Sequence, residues 1–208
     1  MKHPAKYTTE ILYAITDILS RYNVHNVLDC FAGTGRIHSI PFHTIGVEIE
    51  PEWARMHPAT IIANAMNLPF QSGTFDAVCT SPTYGNRMAD SHNARDGSRR
   101  ITYTHIIGRE LHQNNSGKMQ FGIQYKTLHI IVWHECFRVI RNGGIMVLNF
   151  KNHIRNGAEA DVFSWHIQQL IKTGFKLREV IQIKAGGMKY GSGRELRIPY
   201  EYIATVQK

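Results

Sequence analysis

Cysteine is scarce in this 208-residue chain: Cys30, Cys79 and Cys136 make an odd count with no CxxC spacing. That excludes a disulfide framework, offers no structural zinc pattern, and predicts reduced thiols in a cytoplasmic protein. Long apolar runs are missing as well. No stretch approaches the roughly 20 consecutive apolar residues of a helical membrane span, and the richest, 145–148, is short, so no membrane partner is expected. Met1-Lys2-His3-Pro4 leads into polar residues without an apolar core, so no secretory leader is expected either. Acidic residues are few relative to basic ones: 16 Asp and Glu face 24 Lys and Arg, leaving +8. Such a surplus attracts polyanions and releases their counterions on binding, which makes nucleic acid the first partner to test. No internal repeat or low-complexity linker divides the chain, and 43% apolar residues over this length suffice for one well-packed domain across residues 1–208.

What is present is an alternation of short apolar runs and helical patterns. Behind Thr8, a candidate cap, Ile11, Leu12, Ile15, Ile18 and Leu19 recur at helical spacing. Strands are expected at 26–30, 44–48, 60–64, 75–80 and 144–150, with helices at 36–39, 51–57, 124–140 and 159–173. Such alternation predicts an α/β fold with a parallel sheet and crossovers. Past Gly174, two β-rich runs at 175–184 and 196–206 flank a glycine-rich loop at 186–193 and predict an antiparallel C-terminal strand pair.

Residues 85–122 break the pattern as a long basic loop with little periodicity, and loops of that length are usually functional. From residue 85 to 126, seven basic side chains (Arg87, Arg95, Arg99, Arg100, Arg109, Lys118 and Lys126) face three acids (Asp90, Asp96 and Glu110). His92, Tyr103, His105, His112 and Phe121 are interleaved with them. Basic and aromatic side chains together can hold phosphates while stacking on bases, so Arg87, Arg99 and Arg100 are candidate substrate-binding residues. The histidine spacings match no zinc pattern, and no metal is expected.

The run Val27-Leu28-Asp29-Cys30-Phe31-Ala32-Gly33-Thr34-Gly35 is an apolar strand ending in an acid, followed by a tight turn that lets a ligand touch backbone. His38 stands where a dinucleotide fingerprint needs its third glycine, and no Gly-Lys-Ser/Thr follows, so neither a pyrophosphate nor a P-loop is signalled. An adenosine cofactor without phosphates remains. Glu48 closes the next strand, where an acid can accept both hydroxyls of a ribose.

With these residues the chain resembles the class I S-adenosylmethionine-dependent methyltransferases. The resemblance implies a Rossmann-like, doubly wound mixed sheet with an antiparallel strand, and S-adenosyl-L-methionine as cofactor. Asp29, Phe31, Ala32, Gly33 and Gly35 would line its methionine side and Glu48 its ribose. Asn64-Ala65-Met66-Asn67-Leu68-Pro69-Phe70 is similar to a family segment whose first acid receives the adenine amino group; here Asn64, with Ala65, would do so through an uncharged amide oxygen. Thr80-Ser81-Pro82-Thr83-Tyr84 resembles the S-P-P-Y and D/N-P-P-Y/F motif of amino methyltransferases, with Thr83 in place of the second proline. By that resemblance the Ser81 hydroxyl and Pro82 carbonyl accept the protons of an exocyclic amine, and Tyr84 stacks on an extruded base. Segments 85–90, 148–157 and 197–203 look like family loops and the last strand around the same cleft. DNA is the implied substrate, with cytosine N4 favoured. Adenine N6, RNA bases, a protein glutamine amide, or a catalytically silent nucleic-acid-binding module are the alternatives. Cys79, inside an apolar run and outside any Pro-Cys context, reads as a small buried strand residue and not as a nucleophile.

Overall fold

Thr8 starts the first helix as its sequence context predicts. Its hydroxyl accepts a hydrogen bond from the Ile11 amide at 3.4 Å, and α1 (Thr9–Ser20) buries Ile11, Leu12, Ile15, Ile18 and Leu19 on one face. The computed structural model describes residues 7–86, 102–155, 157–184 and 198–208. Arg87, Arg95, Arg99, Arg100, His92 and the glycine-rich segment 186–193 lie outside the described residues.

β1 (Asn26–Asp29), β2 (His43–Glu48), β3 (Thr60–Ile62) and β4 (Phe75–Thr80) follow, with a 3-10 turn at Arg36–Ser39 and α2 (Pro51–Ala54) between them. α3 (Tyr103–Ile107) and a second 3-10 turn at Ser116–Lys118 precede α4 (Ile123–Val139), which runs directly into β5 (Ile140–Phe150). A hairpin of β6 (His153–Arg155) and β7 (Ala158–Ala160), then α5 (Val162–Thr173), β8 (Lys176–Lys184) and β9 (Tyr200–Gln207), complete the order.

Seven strands form one sheet in the order β3-β2-β1-β4-β5-β9-β8. Pairing is parallel from β3 through β5, and β9 is antiparallel to both β5 and β8. The chain steps outward from β1 to β3, then returns to the other side of β1 as β4. In open α/β sheets such a reversal leaves a crevice beyond the strands' carboxyl ends. Side chains alternate between two cores: Val27, Ala77, Cys79, Ile145 and Val147 pack with α1, whereas Leu28, Val78, Met146 and Leu148 pack with Leu128, Val132, Cys136 and Leu170 of α4 and α5. Burial on both faces explains why these strands read as continuous apolar runs. Cys79 is fully buried, and burial pushes its thiol well above the usual range.

Several expected boundaries shift. α2 stops at Ala54 instead of 57, with the Arg55 amide bonded back to Pro51 and Trp53 carbonyls. β3 ends at Ile62, not 64, and β5 begins at Ile140, not 144. The helix expected from residue 159 begins at Val162, because Ala158–Ala160 pairs with His153–Arg155 and the Asp161 carboxylate accepts from the Ser164 amide at 3.0 Å. Nor is 85–122 one irregular loop. Its described part holds α3, capped by the Thr102 hydroxyl, and the Ser116–Lys118 turn. Among the described residues no helix is long and apolar enough to cross a membrane.

Candidate functional site

The turn after β1 needs its glycines. Gly33 and Gly35 sit at φ 53° and 76°, in the left-handed region where other residues are strained. A Cβ on Gly35 would also meet His38 and His57 at 2.8 Å. The turn is held from the next strand: the Gly33 amide donates to Glu48 Oε2 at 2.8 Å, and the Glu50 amide to Glu48 Oε1 at 2.9 Å. Burial pushes the Glu48 carboxyl up to about 7, against the pull of those amides. Asp29 is only 1% exposed. Its Oδ1 accepts from Thr80 Oγ1 at 2.7 Å and from the Phe31 amide at 3.0 Å, its Oδ2 from the Tyr7 hydroxyl at 3.3 Å, and burial raises it to about 6. Asp29 therefore ties the first turn to the end of β4.

A cavity of about 330 Å³ lies at the carboxyl ends of β1, β2 and β4. Its walls include Phe31, Ala32, Gly33, Glu48, Asn64, Ala65, Ser81, Pro82 and Tyr84, so the strand reversal brings together the two motifs that the sequence keeps some fifty residues apart. Asp29 and Gly35 do not line it. They act from behind, as a brace and as a turn. The Asn64 oxygen already accepts from the Met66 amide at 3.0 Å, which leaves it one lone pair for a ligand. The sequence assigned no role to Tyr7, Trp53, Asn115, Asn149 or Glu201, which share the lining. Asn149 carried one usable signal, a polar residue within the apolar run of β5.

Thr83 takes the place of a rigid proline, and hydrogen bonds do the holding instead. Its Oγ1 donates to Ser116 Oγ at 2.8 Å, and its carbonyl accepts from the Tyr125 hydroxyl at 2.7 Å. That hydroxyl lies 2.9 Å from His166 Nε2, while Trp133 Nε1 donates to His166 Nδ1 at 3.1 Å. A ring nitrogen that accepts carries no hydrogen, so Nε2 is the protonated one and donates to Tyr125. Burial, with His129 nearby, holds His166 neutral. Tyr125→Phe strands a buried N–H and a carbonyl, and urea unfolding should show a loss of about 1 to 3 kcal/mol. An unchanged midpoint would show that this chain of bonds does not secure the loop.

The described part of 102–122 folds onto the same cavity. Glu50, fully buried, accepts from the His112 amide at 2.7 Å, from Asn115 Nδ2 at 2.8 Å and from Arg109 Nη2 at 2.8 Å. Arg109 also reaches Glu52 at 2.6 Å. Its expected place among phosphate-seeking side chains is thus corrected: two carboxylates neutralise it. Tyr103, which the sequence suggested for base stacking, is buried edge-on against Trp53. Lys126 lies over the Phe121 ring at 4.6 Å.

No protein-family model matches the chain, and no curated protein matches it in sequence. Solved structures do resemble it in shape. A SAM-dependent methyltransferase from Methanosarcina mazei, 13% identical, superposes over 92% of this chain and 96% of its own with a TM-score of 0.59. The fold is that of the S-adenosylmethionine-dependent methyltransferases. The N-methyltransferase NodS from Bradyrhizobium japonicum, 12% identical, covers 95% of this chain and 92% of its own at TM-score 0.55. The [4+2]-cyclase SpnF, also 12% identical, covers 100% and 85% at 0.58. A methyltransferase fold that carries a cyclase shows that the reaction must be argued from the site.

Proposed function

We propose that this protein is an S-adenosylmethionine-dependent methyltransferase that acts on an exocyclic amino group of a nucleic-acid base, with cytosine N4 of DNA the first choice. The observation that carries this reading is the sharing of one cavity by the Gly33 turn, the buried Glu48 carboxylate and the Ser81-Pro82-Thr83-Tyr84 loop. Glu48 suits a ribose, since two amides leave a carboxylate with acceptor capacity to spare. Gly33 presents backbone without a side chain on the methionine side. When bound, S-adenosylmethionine supplies an electrophilic methyl group. Ser81 and the Pro82 carbonyl would draw the amine's protons and so localise its lone pair, while Tyr84 would hold the base. The buried, unactivated thiol of Cys79 argues against attack through a ring carbon.

Transfer from labelled cofactor into DNA, RNA and protein pools, followed by nucleoside mass spectrometry, tests the reading. N4-methylcytosine is expected, with N6-methyladenine the second outcome. The appearance of 5-methylcytosine, lost in Cys79→Ala and retained in Ser81→Ala, would overturn it. Nucleic-acid binding rests on the net charge of +8. Replacing Arg99 and Arg100 with alanine should weaken DNA binding across sequences and flatten its salt dependence by about one to two units of slope. An unchanged slope would assign both arginines to solvent.

A further inference from the structure

Beside Ser81, the cavity wall carries a carboxylate that the amino-methyltransferase motif does not supply. Glu201 lies on the antiparallel strand β9, one position from Tyr202, which pairs with Phe150 at the end of β5. Its Oε2 accepts from Asn149 Nδ2 at 2.9 Å and from the Tyr84 hydroxyl at 3.5 Å. Asn149 Nδ2 also reaches Ser81 Oγ at 3.3 Å, and Ser81 Oγ lies 3.3 Å from the Tyr84 hydroxyl. Four side chains from three segments thus meet at one spot. The carboxylate fixes the amide's orientation, because a flipped Asn149 would set oxygen against oxygen. That orientation leaves Asn149 Oδ1, in a residue only 2% exposed, without a hydrogen-bond partner among the described residues. Buried acceptors are rarely left so unless a ligand or water completes them.

The cluster is therefore rich in acceptors. A carboxylate has about four acceptor positions, and two on Glu201 are filled by described residues. Resting on the proposed function, we infer that Glu201 is the residue that selects an amino-bearing base over its oxo counterpart and takes the proton that the amine releases. An exocyclic amine offers two N–H donors; with one on the Pro82 carbonyl, the other, turned toward Ser81, is shared with Glu201, whose carboxylate accepts it with charge assistance. A carbonyl at the same ring position would set its oxygen against that charge. As the amine nitrogen bonds to the methyl carbon and the methyl–sulfur bond breaks, the nitrogen must shed one proton. That proton passes to Glu201, which becomes a neutral carboxylic acid and returns it to solvent as the product leaves. Asn149 acts through Glu201 as a positioning residue.

The test begins without cofactor. Binding of the full chain to single-stranded oligonucleotides is compared in two pairs, oligo-deoxycytidine against oligo-deoxyuridine and oligo-deoxyadenosine against oligo-deoxyinosine. The wild type should prefer the amino member of at least one pair by about fivefold to tenfold, a margin set by one charge-assisted hydrogen bond. Glu201→Gln should abolish that preference, because its amide offers a donor to a carbonyl, while the salt dependence of binding stays unchanged. Glu201→Asp, which keeps the charge, should retain part of the preference and guards against a folding defect in the glutamine variant. With cofactor added, single-turnover transfer should fall about a hundredfold to ten-thousandfold in Glu201→Gln, the range for a lost general base. A wild-type preference and transfer rate that survive in Glu201→Gln would overturn the role of Glu201 and leave the methyltransferase reading standing. A wild type that neither distinguishes the pairs nor methylates any base would overturn both.

Discussion

Ser81→Ala is expected to slow single-turnover methyl transfer by a factor in the tens to hundreds while cofactor affinity stays nearly unchanged. Ser81 stands in the wall shared with the cofactor turn, yet its hydrogen-bonding neighbours are Asn149 and Tyr84 and none of the groups around Gly33 or Glu48. A hydrogen bond that strengthens as charge develops on the amine is worth on the order of 2 to 4 kcal/mol in the transition state. Tyr84→Ala should also slow transfer, with weaker hold on the base as the added effect. Burial, and then the charge of Glu201, raise the Tyr84 phenol well above its ordinary value, so it remains a donor at neutral pH. If the motif were only a turn at the end of β4, both variants would lose stability and keep the rate of the folded fraction. Rapid-quench kinetics together with calorimetry of cofactor binding separate the two outcomes.

The second large effect is a pH dependence of cofactor affinity, set by Glu48. Its carboxyl titrates near 7 because burial disfavours the ion. The ionised form is the one that accepts both ribose hydroxyls well, so binding should release a proton and strengthen as pH rises. With the competent fraction near a tenth at pH 6 and nine tenths at pH 8, the apparent affinity should rise about tenfold over that interval. Glu48→Gln should flatten the profile and, at the upper end, weaken binding by about 1 to 3 kcal/mol. Asp29 titrates near 6 but stands outside the cavity, so Asp29→Asn should leave the slope in place. Calorimetry in buffers of different ionisation enthalpy would read the released proton directly. A flat wild-type profile, or a slope that survives in Glu48→Gln, would remove Glu48 from the ribose. Competition by NAD or ATP would argue against the cofactor itself.

Much of the architecture was legible in the chain because it rests on local rules. Five apolar runs bounded by turn residues placed the parallel strands, and the pair beyond Gly174 was legible as antiparallel. Helical periodicity behind Thr8 placed α1, and the spacing from Asp29 through Gly35 to Glu48 marked the ends of adjacent strands. These features follow from side-chain period, capping and the few backbone conformations that glycine alone adopts easily. Boundaries were less legible, since β5 starts early where Ile140 pairs with Phe75 of β4, and α5 starts late because β7 pairs with β6, and periodicity shows neither.

What the sequence alone determined is the alternating α/β pattern, the glycine turn and the Ser81-Pro82-Thr83-Tyr84 loop. Tertiary structure decided which of these residues share a cavity and what each faces there. Asp29, expected at the ligand, is sealed behind the wall by Thr80, Phe31 and Tyr7. Arg109, expected at phosphate, is spent on Glu50 and Glu52. Glu201, one more charged residue in a terminal strand, becomes part of the cavity because β9 enters the sheet beside β5 and carries it to Asn149, Tyr84 and Ser81. The reason is physical. Strand periodicity and turn chemistry act over a few residues, whereas the value of a charge depends on which distant groups replace its water, and only the folded chain fixes those.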